Sequence, residues 1–294
     1  MKNKNKFIGT GVALVTPFKN SGEVDYKALE KLVNHIVKGG CEYLVVLGTT
    51  GEGVTLTSDE KKKVIETVIT TNKGRLPIVL GLGGNNTLQL MEEIRNTDFN
   101  GIDAILSVSP AYNKPSQAGI VEHYKMISKV CPVPIVLYNV PGRTGSNMLP
   151  TTVITIAQSC KNVIAIKEAS GNVEQVMSII EKKPKDFLVI SGDDGITLPL
   201  VAAGAVGVIS VVANAYPKKF SQMVRSALKN DYKQAQKIYY PFHSMIPLLF
   251  QEGNPGGVKA VLSELKIMDS QVRLPLVKVS SNLTAALKNA MKSL

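Results

Sequence analysis

Residues 134–169, PIVLYNVPGRTGSNMLPTTVITIAQSCKNVIAIKEA, hold the pattern that decides the fold. Two nearly unbroken apolar runs, PIVLYNV at 134–140 and VIAIKEA at 163–169, flank a stretch that starts at Pro150 and keeps helical spacing to Ser159. Apolar runs without polar alternation are how strands buried on both faces read, and a helix between two of them makes a parallel βαβ unit. The alternation continues in both directions. Upstream lie VALVTPF (12–18), YLVVLG (43–48), PIVLGLG (77–83) and AILSVSP (104–110), and downstream lie FLVISGD (187–193) and VGVISVV (206–212). Amphipathic stretches at 25–38, 58–72, 86–99, 116–130, 172–181 and 196–203 separate them. Ser58 ahead of Asp59 and Glu60, and Pro150 ahead of Thr151, are the expected helix starts. Eight such units with right-handed crossovers predict an α/β fold, a (β/α)8 TIM barrel rather than an open doubly wound sheet. From Pro217 the pattern turns helical, through 218–230, 231–250, 257–265 and 283–294. The expected organisation is a barrel core at 1–216 and C-terminal helices at 217–294 packed on it.

Composition fits one well-filled domain: 294 residues, 44% hydrophobic, with 24 glycines and 15 prolines and no low-complexity tract. No uninterrupted apolar stretch of signal-peptide or membrane-span length follows the basic start MKNKNK, so a cytoplasmic protein without membrane contact is expected. Cys41, Cys131 and Cys160 are odd in number and widely spaced, which suits neither a disulfide framework nor a zinc site. The formal charge of +11 comes from dispersed lysines, and runs such as 61–63 and 182–185 fall in or beside helices as solvated faces. Nucleic acid is therefore not an expected partner. A positive field does favour encounter with anionic small molecules.

In barrel enzymes the catalytic groups sit at the C-terminal ends of the strands. Those ends carry Thr16-Pro17, Gly48-Thr49-Thr50-Gly51-Glu52, Gly81 with Gly83-Gly84, Ser109-Pro110 before Tyr112-Asn113, Tyr138-Asn139, Lys167-Glu168, Gly192-Asp193-Asp194 and Ser210. Lys167 is the sharpest, an ammonium directly after VIAI. Burial depresses a lysine's pKa, and a neutral amine attacks a ketone to give a carbinolamine and then an imine. The bland alternatives are a lysine reaching solvent at the strand end, or pairing with Glu168, which strand alternation opposes. From position alone the two readings stand level. Tyr138 ends the neighbouring strand, where a phenol can shuttle the protons of carbinolamine dehydration, with Thr49 and Thr50 as relay hydroxyls. Each taken singly reads as a core aromatic or a turn residue; together with Lys167 they make a site. Arg143, in the loop after strand five, suits a substrate carboxylate, and a surface arginine is the alternative. GLGGNN lacks the spacing and the acidic residue of a dinucleotide fingerprint, so no cofactor is expected. His35, His123 and His243 are isolated on helical stretches, and neither a metal site nor a serine triad assembles from them.

Seven strings, GVALVTPF, GTTGE, PAYNKPSQ, YNVPGRTG, IKEASGN, SGDD and GVISVVAN, occur in family order from about Gly9 to Pro275. In them the chain resembles the 4-hydroxy-tetrahydrodipicolinate synthase (dihydrodipicolinate synthase) family of the N-acetylneuraminate lyase superfamily. The resemblance implies that Lys167 forms a Schiff base with pyruvate, whose enamine condenses with aspartate semialdehyde in lysine and diaminopimelate biosynthesis, without a cofactor. It implies a proton relay of Thr49, Tyr138 and Tyr112, with Tyr112 reaching into a neighbouring subunit. It further implies that Thr50 holds the pyruvate carboxylate and Arg143 the semialdehyde carboxylate, that Ile209 contributes a main-chain carbonyl, and that Gly192 lines the pocket. A homotetramer, as a dimer of dimers, is the implied assembly.

Departures from the family pattern bear on regulation. Ser58, Lys61 and Gln89 stand where lysine-inhibited members often have two histidines and a glutamate, and Ala111 replaces a frequent tyrosine, so weak or absent feedback by lysine is expected. EGNPGGVKA at 252–260 also departs from the commoner string ending in Pro-Val-Lys. Two rival readings remain: an N-acetylneuraminate or 2-keto-3-deoxy-sugar-acid aldolase, which by resemblance tends to lack the GRTG arginine, and a non-catalytic barrel binding an anionic partner.

Overall fold

The apolar runs become eight strands: β1 (Gly9–Ala13), β2 (Tyr43–Val46), β3 (Ile78–Gly81), β4 (Ala104–Val108), β5 (Ile135–Asn139), β6 (Val163–Glu168), β7 (Leu188–Ser191) and β8 (Gly207–Ser210). They pair in parallel and in chain order, and β8 closes on β1. The computed structural model describes residues 4–294. Closure brings Gly207 opposite Gly9, and a Cβ on Gly207 would lie 1.9 Å from the Gly9 carbonyl oxygen. With φ at +151° as well, only glycine seals the barrel there.

Helices follow the strands: α1 (Tyr26–Lys38), α2 (Ser58–Asn72), α3 (Thr87–Asn96), α4 (Gln117–Val130), the single turn α5 (Pro141–Thr144), α6 (Pro150–Ser159), α7 (Val173–Lys182), α8 (Thr197–Ala202) and α9 (Pro217–Leu228). Then come α10 (Tyr232–His243), α11 (Met245–Phe250), α12 (Gly256–Glu264) and α13 (Ser281–Met291). Side-chain caps set most starts, among them Asp25, Asn86, Ser116 and Asn172, each accepting from a backbone N–H of the first turn. One buried cluster, with Val45, Val79, Leu106, Val136, Tyr138, Ile190 and Ile209, holds the inward row of the strands. The alternate residues, such as Val46, Leu80, Ile105, Leu137 and Val189, join the two clusters shared with the helices.

Four expectations shift. The first strand lies at 9–13 rather than 12–18, because GTG pairs with β2 and β8 while buried Leu14–Phe18 runs on as a loop. The cap of α2 is Thr57, not Ser58: Thr57 accepts from Glu60 N and Glu60 bonds back to Thr57 N, a complete capping box. The stretch 231–250 divides at Ser244, where Pro247 has no N–H to give the His243 carbonyl. The strand-five loop contains α5, with Pro141 at its start and Gly145 (φ +69°) after its end. Helix α9 packs Phe220, Met223 and Val224 into the cluster that holds Val12 and Val208. It thereby serves as the outer helix of the eighth unit, and we place the boundary of the C-terminal appendage after Leu228 rather than before Pro217.

Candidate active site

Strand alternation sends Lys167 inward and Glu168 outward. Lys167 lies in register between Tyr138 and Ile190, is 6% exposed, and holds its Nζ 4.3 Å from the centre of the Tyr138 ring. It makes no hydrogen bond or ion pair among the described residues. Glu168, buried behind it, accepts from Asn139 Nδ2 (2.9 Å), Gln175 Nε2 (3.2 Å) and Ser170 N (2.8 Å), so its oxygens find hydrogen bonds without the lysine. Gly192, just past β7, is what leaves Lys167 its room. A Cβ there would sit 3.0 Å from Lys167 Cε and 2.6 Å from Ala169 Cβ. Ile209 is buried with Tyr138 in the inward cluster.

Across the barrel mouth, the turn after β2 starts at Leu47 in the left-handed region (φ 58°) and makes one tight turn over Thr49–Gly51. Thr16 Oγ1 donates to the Gly51 carbonyl at 2.6 Å. Thr50 is buried, and its Oγ1 accepts from Asn254 Nδ2 at 3.0 Å. Glu52, 3% exposed and left-handed at φ 52°, receives Lys259 Nζ at 2.5 Å and Arg273 N at 3.0 Å. Lys259 is wholly buried, donates also to the Gln271 carbonyl and lies 4.2 Å from the centre of the Phe18 ring. Burial pushes its pKa down to about 8 against the pull of Glu52.

Two lysines are buried among the described residues, and their surroundings differ. Lys259 is committed to a carboxylate, a carbonyl and a ring face, whereas the Lys167 Nζ has the Tyr138 ring face beside it and no hydrogen-bond or ion-pair partner among the described residues. The strand ends therefore bring Lys167, Tyr138, Gly192 and Ile209 together and set Thr49 and Thr50 opposite. They leave two expected members apart. Tyr112 is 91% exposed with φ 66°, its N–H donating to the Thr144 carbonyl, and Arg143 is exposed on α5. No hydrogen bond joins Tyr138 to Thr49 among the described residues.

Sequence and structure comparisons place the chain among known proteins. The model of the Dihydrodipicolinate synthetase family matches residues 6–294. The chain belongs to this family. The 4-hydroxy-tetrahydrodipicolinate synthase of Flavobacterium psychrophilum is 54% identical over 288 residues, 98% of each chain. The chloride-inhibited dihydrodipicolinate synthase of Acinetobacter baumannii, solved with pyruvate, is 38% identical and superposes with a TM-score of 0.94 over 97% of this chain and 98% of that one. A monomeric dihydrodipicolinate synthase variant, also 38% identical, superposes at 0.95 over 98% and 97%.

Within this member of the dihydrodipicolinate synthetase family, reading the sequence missed Asn254, Lys259 and Arg273. The signal for Lys259 was present: GVKAVL sets a lysine in an apolar run, as VIAIKEA does. Nothing near Asn254 or Arg273 in sequence names Thr50 or Glu52, which lie 204 and 221 residues away.

Proposed function

We propose that the protein condenses pyruvate with aspartate semialdehyde to 4-hydroxy-tetrahydrodipicolinate through an imine on Lys167. The observation that carries this is the unpaired, buried Lys167 amine against Tyr138 in a chain of this family. The lone pair of Lys167 Nζ attacks the pyruvate ketone carbon, the carbinolamine loses water to give the imine, and loss of a methyl proton gives the enamine. The enamine carbon then attacks the semialdehyde carbonyl, and ring closure onto the former ketone carbon by the semialdehyde's amino group releases Lys167.

Tyr138, Thr49 and Tyr112 serve as the proton relay, Thr50 takes the pyruvate carboxylate, Arg143 the semialdehyde carboxylate, Ile209 offers its main-chain carbonyl, and Gly192 lines the pocket. Because Tyr112 is exposed on its own chain, the relay is completed by a second copy, and a tetramer built of two dimers is the assembly proposed, in the cytoplasm. No cofactor is required by this chemistry. Arg143 favours the short anionic aldehyde over the polyol of a sugar-acid aldolase. The test is incubation with pyruvate, reduction with borohydride and mass spectrometry. A reduced adduct on Lys167 is expected, and its absence would leave the non-catalytic barrel as the better reading. Product formation from aspartate semialdehyde, against cleavage of N-acetylneuraminate as control, then separates the two aldolase readings.

A further inference from the structure

The string EGNPGGVKA lies 204 residues from Thr50 in sequence, yet its Asn254 is in hydrogen-bond contact with that hydroxyl. Asn254 is 8% exposed, and its Nδ2 donates to Thr50 Oγ1 while its Oδ1 is buried without a partner among the described residues. The direction of that bond has a chemical consequence. A threonine hydroxyl holds one proton and accepts through its lone pairs. Once Thr50 Oγ1 accepts from Asn254 it has no use for its proton on that side, and the proton is free to turn toward the barrel mouth. The neighbouring contacts give the turn little freedom to escape: Thr16 holds the Gly51 carbonyl, and Lys259 and Arg273 N hold Glu52.

We propose that Asn254 is a positioning residue that makes Thr50 a dedicated hydrogen-bond donor to the substrate carboxylate. This rests on the pyruvate reading of the site above. Asn254 itself touches Thr50 and not the reacting atoms. Its effect is confined to ligands that bring a carboxylate, and that separates it from a residue that merely holds the fold.

The experiment compares imine formation at Lys167 with pyruvate and with methyl pyruvate, the same ketone without the negative charge, trapped by borohydride across a concentration series. In Asn254→Ala the concentration of pyruvate for half-maximal trapping rises about tenfold, the factor of one hydrogen bond to a charged group, while that of methyl pyruvate changes less than about twofold. KM for pyruvate rises in step and kcat at saturation stays close to the parent value. Asn254→Asp, of nearly the same size, keeps the packing and tests the direction of the bond. An aspartate can accept the Thr50 proton but not donate, so it weakens pyruvate further; wild-type behaviour of this variant would overturn the proposal. Equal losses for both ketones would also overturn it, since they mark a structural role. Absence of any adduct in the wild type is a different failure, that of the imine reading itself.

Discussion

At the scale of single residues, Tyr138 offers the cleanest separation of chemistry from stability. Its ring is packed against Lys167 and its hydroxyl has no hydrogen-bond partner among the described residues, so Tyr138→Phe removes only a group the fold does not use. Turnover is expected to fall ~10²–10⁴-fold, the usual worth of a positioned proton donor, with the thermal midpoint unchanged. A variant that keeps full turnover would remove Tyr138 from the relay. Lys167 and Tyr138 were legible because a parallel strand buried on both faces has few places for an amine or a phenol. The Lys259–Glu52 pair was not, since its members are joined only by the fold, across 207 residues.

At the scale of elements, α12 and the segment after it act on the turn that follows β2. Lys259 lies on α12 and Arg273 beyond it, where the guanidinium donates to Glu60 of α2 and to the Gly22 and Thr55 carbonyls. That pairing holds the Glu60 carboxyl down at about 2. Lys259→Met leaves Glu52 buried with its charge uncompensated, and a loss of about 3–5 kcal/mol in urea unfolding is expected. Adding Glu52→Gln should restore most of it, because the stranded charge is then gone. Additive losses in the double variant would contradict the coupling. Element boundaries followed local chemistry the sequence carries only partly. The strands and the starts at 58 and 150 read well, whereas α5 was missed although Pro141 and Gly145 mark its two ends, and the break before α11 depends on Pro247.

At the scale of the whole molecule, two buried groups oppose each other in acid. Burial lowers the pKa of His123 from 6.5 to about 4, so its contribution to stability is complete above 6.5 and is lost as pH falls through 4. Burial raises Asp194 from 3.8 to about 6, so its contribution is complete below 3.8 and is lost as pH rises through 6. Between pH 4 and 6 the slopes have opposite sign. Melting temperature should therefore climb more steeply with pH in Asp194→Asn than in the wild type, and less steeply in His123→Gln; parallel curves would refute the assignment. Feedback is a second molecular property. Ser58 and Lys61 lie on α2, Gln89 on α3 and Ala111 after β4, and as departures from the family pattern they carry the expectation of weak or absent feedback by lysine. Turnover is expected to fall little or not at all through a lysine titration, and tight inhibition in a steady-state assay would end that expectation. The tether from residues 254–273 to the Thr49–Glu52 turn also sets an order of events during synthesis. The strands and α9 leave the ribosome before Asn254, Lys259 and Arg273 exist, so a nascent barrel can pair all eight strands while Glu52 still lacks its counter-charge. Until that segment emerges, the Thr49–Glu52 turn lacks the contacts to Asn254, Lys259 and Arg273 that hold it in the finished fold.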